Sequence, residues 1–590
     1  MATAKRLYLY GVSAAGLMMG VVGATLLFRT LVNNLHIGVQ YKTGQVSSSL
    51  DHDMLSLGLG LIVAGAIVWL FHWAIVERMV HGPDEAAAAE RRSIVRSVYF
   101  AAVLGTSLPI AAIEWIALVA RIIADRLEAP GTLSSMVLAG IEDDATLLSV
   151  AVAATLVFVY HAWVRDRDLR QTDLIAGAAA WVSRFYLYGA VFVGLVSALG
   201  EISAIVRTLA QQAASVATID GIDIGSLSGL GVSVNSLGQL AHVPEGADWV
   251  RPVTTSIVGI VVWGAIWLGH WMYSLRLRRA QTPQGEAERI SKVRVTFFAA
   301  VVYWGVLTVV NGASDGLGQL FAALTDVKNQ APTWYLVFVP PVLAIPAGVA
   351  WWWHRMVAIE EEPAGPAGVS AARLLLYVTA LVGIATLAGG GVQAIQAVVV
   401  QVFSPLGASN PELWKLPVSL GIAALVVGGF IWVWAWFLAE ARLRLDRTDA
   451  TTYSRSYYMY VVLGASVVAG ATALAFFVYR YFHQVIGPND PALASNVAWI
   501  LATLVVAGAI LVYHSWIYRR DAGTPEGQPL AMPLSNPPVL AAPAPRARSR
   551  AAAAPPPPAA PAPAAAPALP APPAAPAEAP KRTRTRKPQQ

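Results

Sequence analysis

The sequence predicts an all-α integral membrane protein of about twelve transmembrane helices, arranged as three tandem four-helix repeats and followed by a disordered C-terminal tail. Three observations carry that expectation. Hydrophobic residues make up 56% of the 590 and charged residues only 13%, more apolar surface than a soluble core can bury. Apolar stretches of membrane-spanning length recur along the chain until about residue 517. Those stretches also come in matching pairs. The first of a pair opens with aromatics behind a basic residue, as at Arg6, Tyr8 and Tyr10, at Arg184, Tyr186 and Tyr188, and at Arg373 and Tyr377. The second closes on Trp or His beside a basic stretch, as in Trp69-x-x-His72-Trp73, Tyr160-His161-x-Trp163, Trp267-x-x-His270-Trp271 and Tyr513-His514-x-Trp516.

The spans are expected near 7–31, 54–77, 97–120, 146–164, 183–206, 253–275, 295–320, 335–354, 374–400, 416–438, 457–480 and 495–517. Each is long enough, at about 1.5 Å per residue, to cross roughly 30 Å of hydrocarbon. All should be helices, because only a helix satisfies its own backbone within one segment and the alternation of barrel strands is absent. Lys5 and Arg6 ahead of an apolar run imitate a secretory signal. The same opening recurs at Arg184 and Arg373, where no signal can stand, so the run is read as the first span. With no cysteine in the chain, disulfides, thiolate metal sites and thiol nucleophiles are excluded.

Register makes the unit four helices rather than two. Tyr10, Tyr188 and Tyr377 are each followed 19 residues later by a polar residue, Arg29, Arg207 and Gln396, whereas Phe100 and Phe298 precede Arg121 and Gln319 by 21. Tyr460 to Arg480 falls between, at 20. The repeats are placed at 1–170, 171–363 and 364–521, with the tail at 522–590. The basic-aromatic start, small-residue-rich first helix, polar residue near its far end and His/Trp end of the closing helix, in blocks of four spans, resemble the prokaryotic membrane family named domain of unknown function 5671. That resemblance covers about 520 residues and implies a four-helix membrane module of unknown activity, with no catalytic residue to carry across. Ala435 stands at the His position of the fifth closing helix and departs from the pattern.

Basic residues set the expected orientation. Leaving out the tail from Arg546 onward, Lys and Arg divide 24 to 9 between the face holding the N-terminus and the opposite face, so the former is expected to be cytoplasmic, with both termini there. The setting expected is the plasma membrane of a prokaryotic cell. The tail, a Pro/Ala tract ending in Lys581-Arg582-Thr583-Arg584, cannot bury a core and is expected to be extended and cytoplasmic. The functional reading of its basic end is contact with anionic lipid or nucleic acid; a solvated tail is the plainer reading. The connection at about 207–252 is a lid or simply a loop.

Two sets of residues are candidate sites. His72, His161, His270, His354 and His514 lie near the same ends of closing helices, flanked by Trp or Tyr, which favours an interfacial belt or inter-helix hydrogen bonding over a proton relay, a metal or a haem. Glu114, Glu201 and Asp315, with Asn311 nearby, sit within spans, where ionisable groups are costly. Pairing of Glu114 with Arg121 and of Glu201 with Arg207, or snorkelling, is the structural reading; an ion or solute pathway is the functional one. Arg29 and Arg480 complete this polar set. Gly16-x-x-x-Gly20 and Gly389 to Gly391 suggest close helix packing, while Pro109, Pro340, Pro341 and Pro346 suggest kinks or a broken helix. No P-loop, GxSxG, HExxH or paired-Cys signature occurs, so no enzyme, cofactor or metal is expected. The leading expectation is a non-enzymatic membrane scaffold or interaction protein in the lipid bilayer. The alternative is a small-solute or ion transporter using its buried carboxylates.

Overall fold

The computed structural model describes residues 2–34, 52–128, 136–172, 176–217, 249–325, 334–361, 371–403, 414–445, 452–486 and 493–522, all within one compact unit, Met1–Pro529. The tail beyond Ala522 and most of the 207–252 connection lie outside the described residues. Among those described, every regular element is a helix: α1 (Ala2–Asn34), α2 (His52–Val80), α3 (Glu85–Arg91), α4 (Ile94–Glu128), α5 (Met136–Gln171), α6 (Ala178–Ala217), α7 (Val250–Arg279), α8 (Pro283–Arg289), α9 (Lys292–Leu324), α10 (Trp334–Glu360), α11 (Ala371–Phe403), α12 (Lys415–Leu445), α13 (Tyr453–Ile486) and α14 (Leu493–Ala522). Twelve of them are long and apolar enough to cross a membrane, and each expected span lies inside one. The chain is a multi-pass membrane protein by that architecture. The helices overshoot the expected spans. α4, at 35 residues, reaches about 50 Å at 1.5 Å per residue, well beyond the hydrocarbon thickness.

The short helices α3 and α8 were not among the expected elements. Each starts on a side-chain cap: Asp84 accepts from the Ala87 amide at 3.0 Å, and Thr282, followed by Pro283, accepts from the Gly285 amide at 3.2 Å. They join hairpins at the end where α1 begins.

Consecutive long helices form six hairpins. The opening helices α1, α4, α6, α9, α11 and α13 each touch the next opening helix in order. Each also packs along its own closing helix and against the closing helix of the following hairpin: α1 on α5, α4 on α7, α6 on α10, α9 on α12 and α11 on α14. Packing therefore repeats every two helices and runs without interruption past 170 and 363. The middle of this row is its most enclosed part, with 50% and 56% of the membrane windows of α9 and α11 buried against 11% of that of α2. Lipid-facing side chains such as Met18, Leu156, Val261 and Phe430 are exposed, as an apolar solvent allows.

Small residues set the hairpin spacing. A methyl group on Gly16 would come within 2.7 Å of the Trp69 backbone nitrogen, so α1 and α2 approach more closely than any side chain permits. In α9, Gly312 and Gly316 lie under the carbonyls of Pro340 and Val337. α10 passes through Pro340, Pro341 and Pro346 as one helix, not as two half-helices around an unwound site.

Candidate functional site

At the end where α1 begins, three arginines are withdrawn from solvent: Arg96 is 1% exposed, Arg294 3% and Arg455 1%. A buried guanidinium requires partners for its five N–H groups. Each finds them on the other three helices of a four-helix set.

Arg96, in the first turn of α4, donates Nε to Asp168 Oδ2 of α5 at 2.7 Å, Nη2 to Glu77 Oε1 of α2 at 3.0 Å and Nη1 to the Tyr10 hydroxyl of α1 at 3.1 Å. Arg167 shares both acids, reaching Glu77 at 2.7 Å and Asp168 at 3.1 Å. Arg294 of α9 grips Glu361, just past α10, with Nε and Nη2 both at 2.7 Å, and donates Nη1 to the Tyr188 hydroxyl of α6 at 2.7 Å and to Ser274 Oγ of α7 at 3.4 Å. Arg455 of α13 donates to Asp521 of α14 at 2.7 Å, Glu440 of α12 at 2.7 Å and the Tyr377 hydroxyl of α11 at 3.2 Å. The guanidinium planes also lie over indole rings, Arg294 5.1 Å from that of Trp271 and Arg455 5.1 Å from that of Trp436. Every guanidinium thus joins four helices. Side-chain chemistry repeats every four helices although packing repeats every two.

The short helices add a carboxylate to two of these sites. Glu90 accepts from Arg6 Nε at 2.6 Å and from the Tyr10 hydroxyl at 3.2 Å; Glu288 accepts from Arg184 Nε at 2.9 Å and from the Tyr188 hydroxyl. Two of the three basic-aromatic openings read from the sequence, those at Arg6 and Arg184, are therefore ligands of buried acids.

The histidines divide into two classes. His161, His354 and His514 are fully buried, and each points Nδ1 at the carbonyl four residues back, 2.8 to 2.9 Å away. A carbonyl only accepts, so Nδ1 carries the proton and Nε2 is left as an acceptor. The Tyr99 hydroxyl donates to His161 Nε2 at 3.0 Å and that of Tyr458 to His514 Nε2 at 3.2 Å. In the middle set the tyrosine is Phe297, and both His354 Nε2 and Trp267 Nε1 are buried without a partner. The counterpart of Trp267, Trp432, donates to the Tyr458 hydroxyl at 3.0 Å. His72 and His270 are half-buried and meet Tyr8 at 3.3 Å and Tyr186 at 3.4 Å. The third set has Leu375 and Ala435 in those two places, both 0% exposed. The departure at Ala435 is thus one half of a joint replacement.

The second group of sequence candidates lies toward the opposite helix ends. Glu114, Glu201 and Asp315 are half-buried and have no ion-pair or hydrogen-bond partner among the described residues, so the Glu114–Arg121 and Glu201–Arg207 pairs expected from the sequence do not form. Seven residues of helix rise are about 10 Å, a long reach for two side chains on one face. Glu201 rests its carboxyl against Gly259 of α7. Asn311 and Arg29 are exposed; Arg121, Arg207 and Arg480 are half-buried, with Arg480 over the Tyr479 ring and Arg207 Nε buried without a partner. The ion pair formed at this end, Arg251 to Asp125 at 2.8 Å, was not anticipated. Among the described residues no group of three or more His, Asp or Glu side chains is placed to hold a metal ion.

Comparison with curated proteins and with solved structures gives no match. Residues 6–142 and 373–509 match the model of the family described as Domain of unknown function (DUF5671). Both matches begin at the opening arginine, Arg6 or Arg373, and contain the central arginine, Arg96 or Arg455, but stop short of His161 and Asp168 and of His514 and Asp521. The chain therefore carries two stretches similar to that domain of unknown function, which recurs within it.

Proposed function

We propose that this protein is a non-enzymatic membrane scaffold, seated in the plasma membrane of a prokaryotic cell with both termini in the cytoplasm, whose row of hairpins presents a rigid polar face to partners. One observation carries the reading: the buried arginines at the α1-start end are closed by carboxylates and tyrosine hydroxyls of their own four-helix sets, which makes them ties between helices rather than groups held ready for a substrate. The division of basic residues supports the orientation. Because the chain has no cysteine, a Cys placed at Ser228 should react with an impermeant reagent in intact cells and one at Gln281 should not; the reverse pattern inverts the topology.

A second reading, a cation or solute transporter, is favoured by the partnerless acids Glu114, Glu201 and Asp315 within the spans. Liposomes holding the purified protein decide between them. The scaffold reading expects no proton or cation flux above that of empty liposomes. A flux that Glu114→Gln or Glu201→Gln abolishes, with the melting temperature in detergent unchanged, replaces it with the transporter.

A further inference from the structure

The seam between α5 and α6, at the same end, holds positive charge that no carboxylate among the described residues pairs with. Arg165, one turn beyond His161, donates Nη2 to the Ser183 hydroxyl at 2.5 Å and to the Ser183 carbonyl at 3.3 Å, and lies 4.9 Å over the Tyr186 ring. Arg91, 9% exposed at the end of α3, donates to the carbonyls of Val80 at 2.5 Å and Gly82 at 3.3 Å and to the Thr172 hydroxyl at 2.7 Å. The neighbouring charges are already matched: Arg96 and Arg167 with Glu77 and Asp168, Arg6 with Glu90, Arg170 with Asp166. Among the described residues, Arg91 and Arg165 are therefore two cations without an acid partner in a partly dehydrated place.

Between them is a cavity of about 20 Å³, with room for a water-sized atom such as one oxygen of an oxyanion; its polar walls include Arg91, Arg96, Arg165, Ser97, Ser183 and Thr172, together with Asp168, whose carboxylate is taken up by Arg96 and Arg167. Its walls supply N–H and O–H donors. The feature is specific to this seam: four residues after the buried histidine, the other sets carry Ala358 and Tyr518 in place of Arg165. Arg91 has a counterpart in Arg289, which makes the same bonds to the end of its closing helix, to the carbonyls of Arg278 and Ala280. Capping thus explains Arg91 in part and leaves Arg165 unexplained.

We propose that this cavity receives one oxygen of a phosphate group, held by the guanidiniums of Arg91 and Arg165 with hydroxyl donors beside them. Guanidinium forks match phosphate oxygens in geometry and charge, and a basic pocket between helices near the membrane surface suits a lipid headgroup. A free phosphate has the same chemistry. The inference stands on the geometry of the seam and holds whether the protein scaffolds or transports.

The test is thermal melting of the purified full chain in an uncharged detergent, titrated separately with phosphatidylglycerol, phosphatidylcholine and inorganic phosphate. A bound ligand raises the melting temperature with its concentration. Phosphatidylglycerol is expected to stabilise the parent, and R165Q to raise the half-saturating concentration about tenfold, the loss of about 1.4 kcal/mol of binding. R170Q, which removes the same charge from an exposed surface pair, should leave it within about twofold. Stabilisation by phosphatidylglycerol alone assigns the site to an anionic lipid; stabilisation by inorganic phosphate assigns it to a soluble anion. If no phosphate compound stabilises the parent, or if R165Q and R170Q respond alike, the proposal is overturned. Should R165Q fail to fold, Arg165→Lys keeps the charge and loses the fork; undiminished binding by that variant likewise overturns it.

Discussion

The first and second arginine sites share a four-helix plan and close their charge differently. Arg96 has two carboxylates, Glu77 and Asp168, and shares them with Arg167. Among the described residues Arg294 has one carboxylate in direct hydrogen bond, Glu361, gripped by both prongs of its fork, because Leu275 stands four residues after Trp271 where Glu77 stands four after Trp73. Their histidines differ in the same direction, His161 held by Tyr99 and His354 facing Phe297. The middle site thus has one carboxylate fewer on its arginine and no hydroxyl on its histidine. It is also incompletely converted. Where both sides of a contact became apolar, as at Leu375 and Ala435, packing fills the space; where only the tyrosine was lost, the His354 Nε2 acceptor remains buried without a partner, at a cost of about 1–3 kcal/mol, while the Trp267 donor is orphaned as Trp69 is beside Tyr99 in the first set.

The largest effect should come from the arginine with the fewest acids. Glu361→Gln leaves Arg294 buried with hydroxyl partners and is expected to destabilise by about 3–5 kcal/mol, the scale for breaking a buried pair. Asp168→Asn leaves Glu77 in place and should cost about 1–3 kcal/mol. Denaturant or thermal unfolding in detergent compares them, and equal losses would mean that the second acid of the first site contributes nothing. Adding Leu275→Glu to Glu361→Gln supplies the missing carboxylate and should recover about 1 kcal/mol or more.

The helices were legible in the sequence and the arginine sites were not, for a physical reason. Hydropathy and length are local properties, so each span could be placed from its own residues. Arg96, Arg294 and Arg455 lie one or two residues before the expected spans at 97, 295 and 457, where a basic residue reads as a topology signal. Their burial depends on acids elsewhere in the chain, Asp168 being 72 positions from Arg96. A regular spacing could have revealed them: an acid follows each buried histidine by seven residues, at Asp168, Glu361 and Asp521. The same alignment corrects one register. With Arg455 in the place of Arg96, the buried Met459 rather than the exposed Tyr460 corresponds to Phe100, and the distance to Arg480 becomes the 21 residues found from Phe100 to Arg121. The in-span acids were found readily because an ionisable residue in an apolar run stands out by itself, yet spacing alone assigned Glu114 and Glu201 partners that they do not have.

The joint replacement in the third set predicts a smaller, coupled effect. Ala435→His alone forces a ring into a filled position and should cost about 1–3 kcal/mol, as should Leu375→Tyr alone. Together they restore the contact made by Tyr8 and His72 and by Tyr186 and His270. The double variant should be more stable than the two single losses imply by about 1 kcal/mol. Strict additivity in a double-mutant cycle would separate the two replacements.

The smallest effect is a gain. Phe297 holds its ring where the tyrosines hold theirs, its centroid 5.7 Å from that of His354, compared with 5.7 Å for Tyr99 and His161 and 5.8 Å for Tyr458 and His514. The ring planes meet at 73° there against 53° and 54° in the other two sets, so a hydroxyl added to that ring is expected to reach His354 Nε2 after a modest tilt of the side chain. It would donate there and be placed to accept from Trp267 Nε1, as the Tyr458 hydroxyl accepts from Trp432. Phe297→Tyr should raise stability by about 0.5–1.5 kcal/mol, the net worth of a buried hydrogen bond, and Tyr458→Phe should lower it by about 1–3 kcal/mol by recreating the two orphans. Unfolding of both variants beside the parent in one detergent reads the pair. Gain and loss together would show that the middle site carries an unfilled polar contact; a loss for Phe297→Tyr would show that its neighbours have closed over the hydroxyl position, with Phe297 then a settled part of the enclosed core.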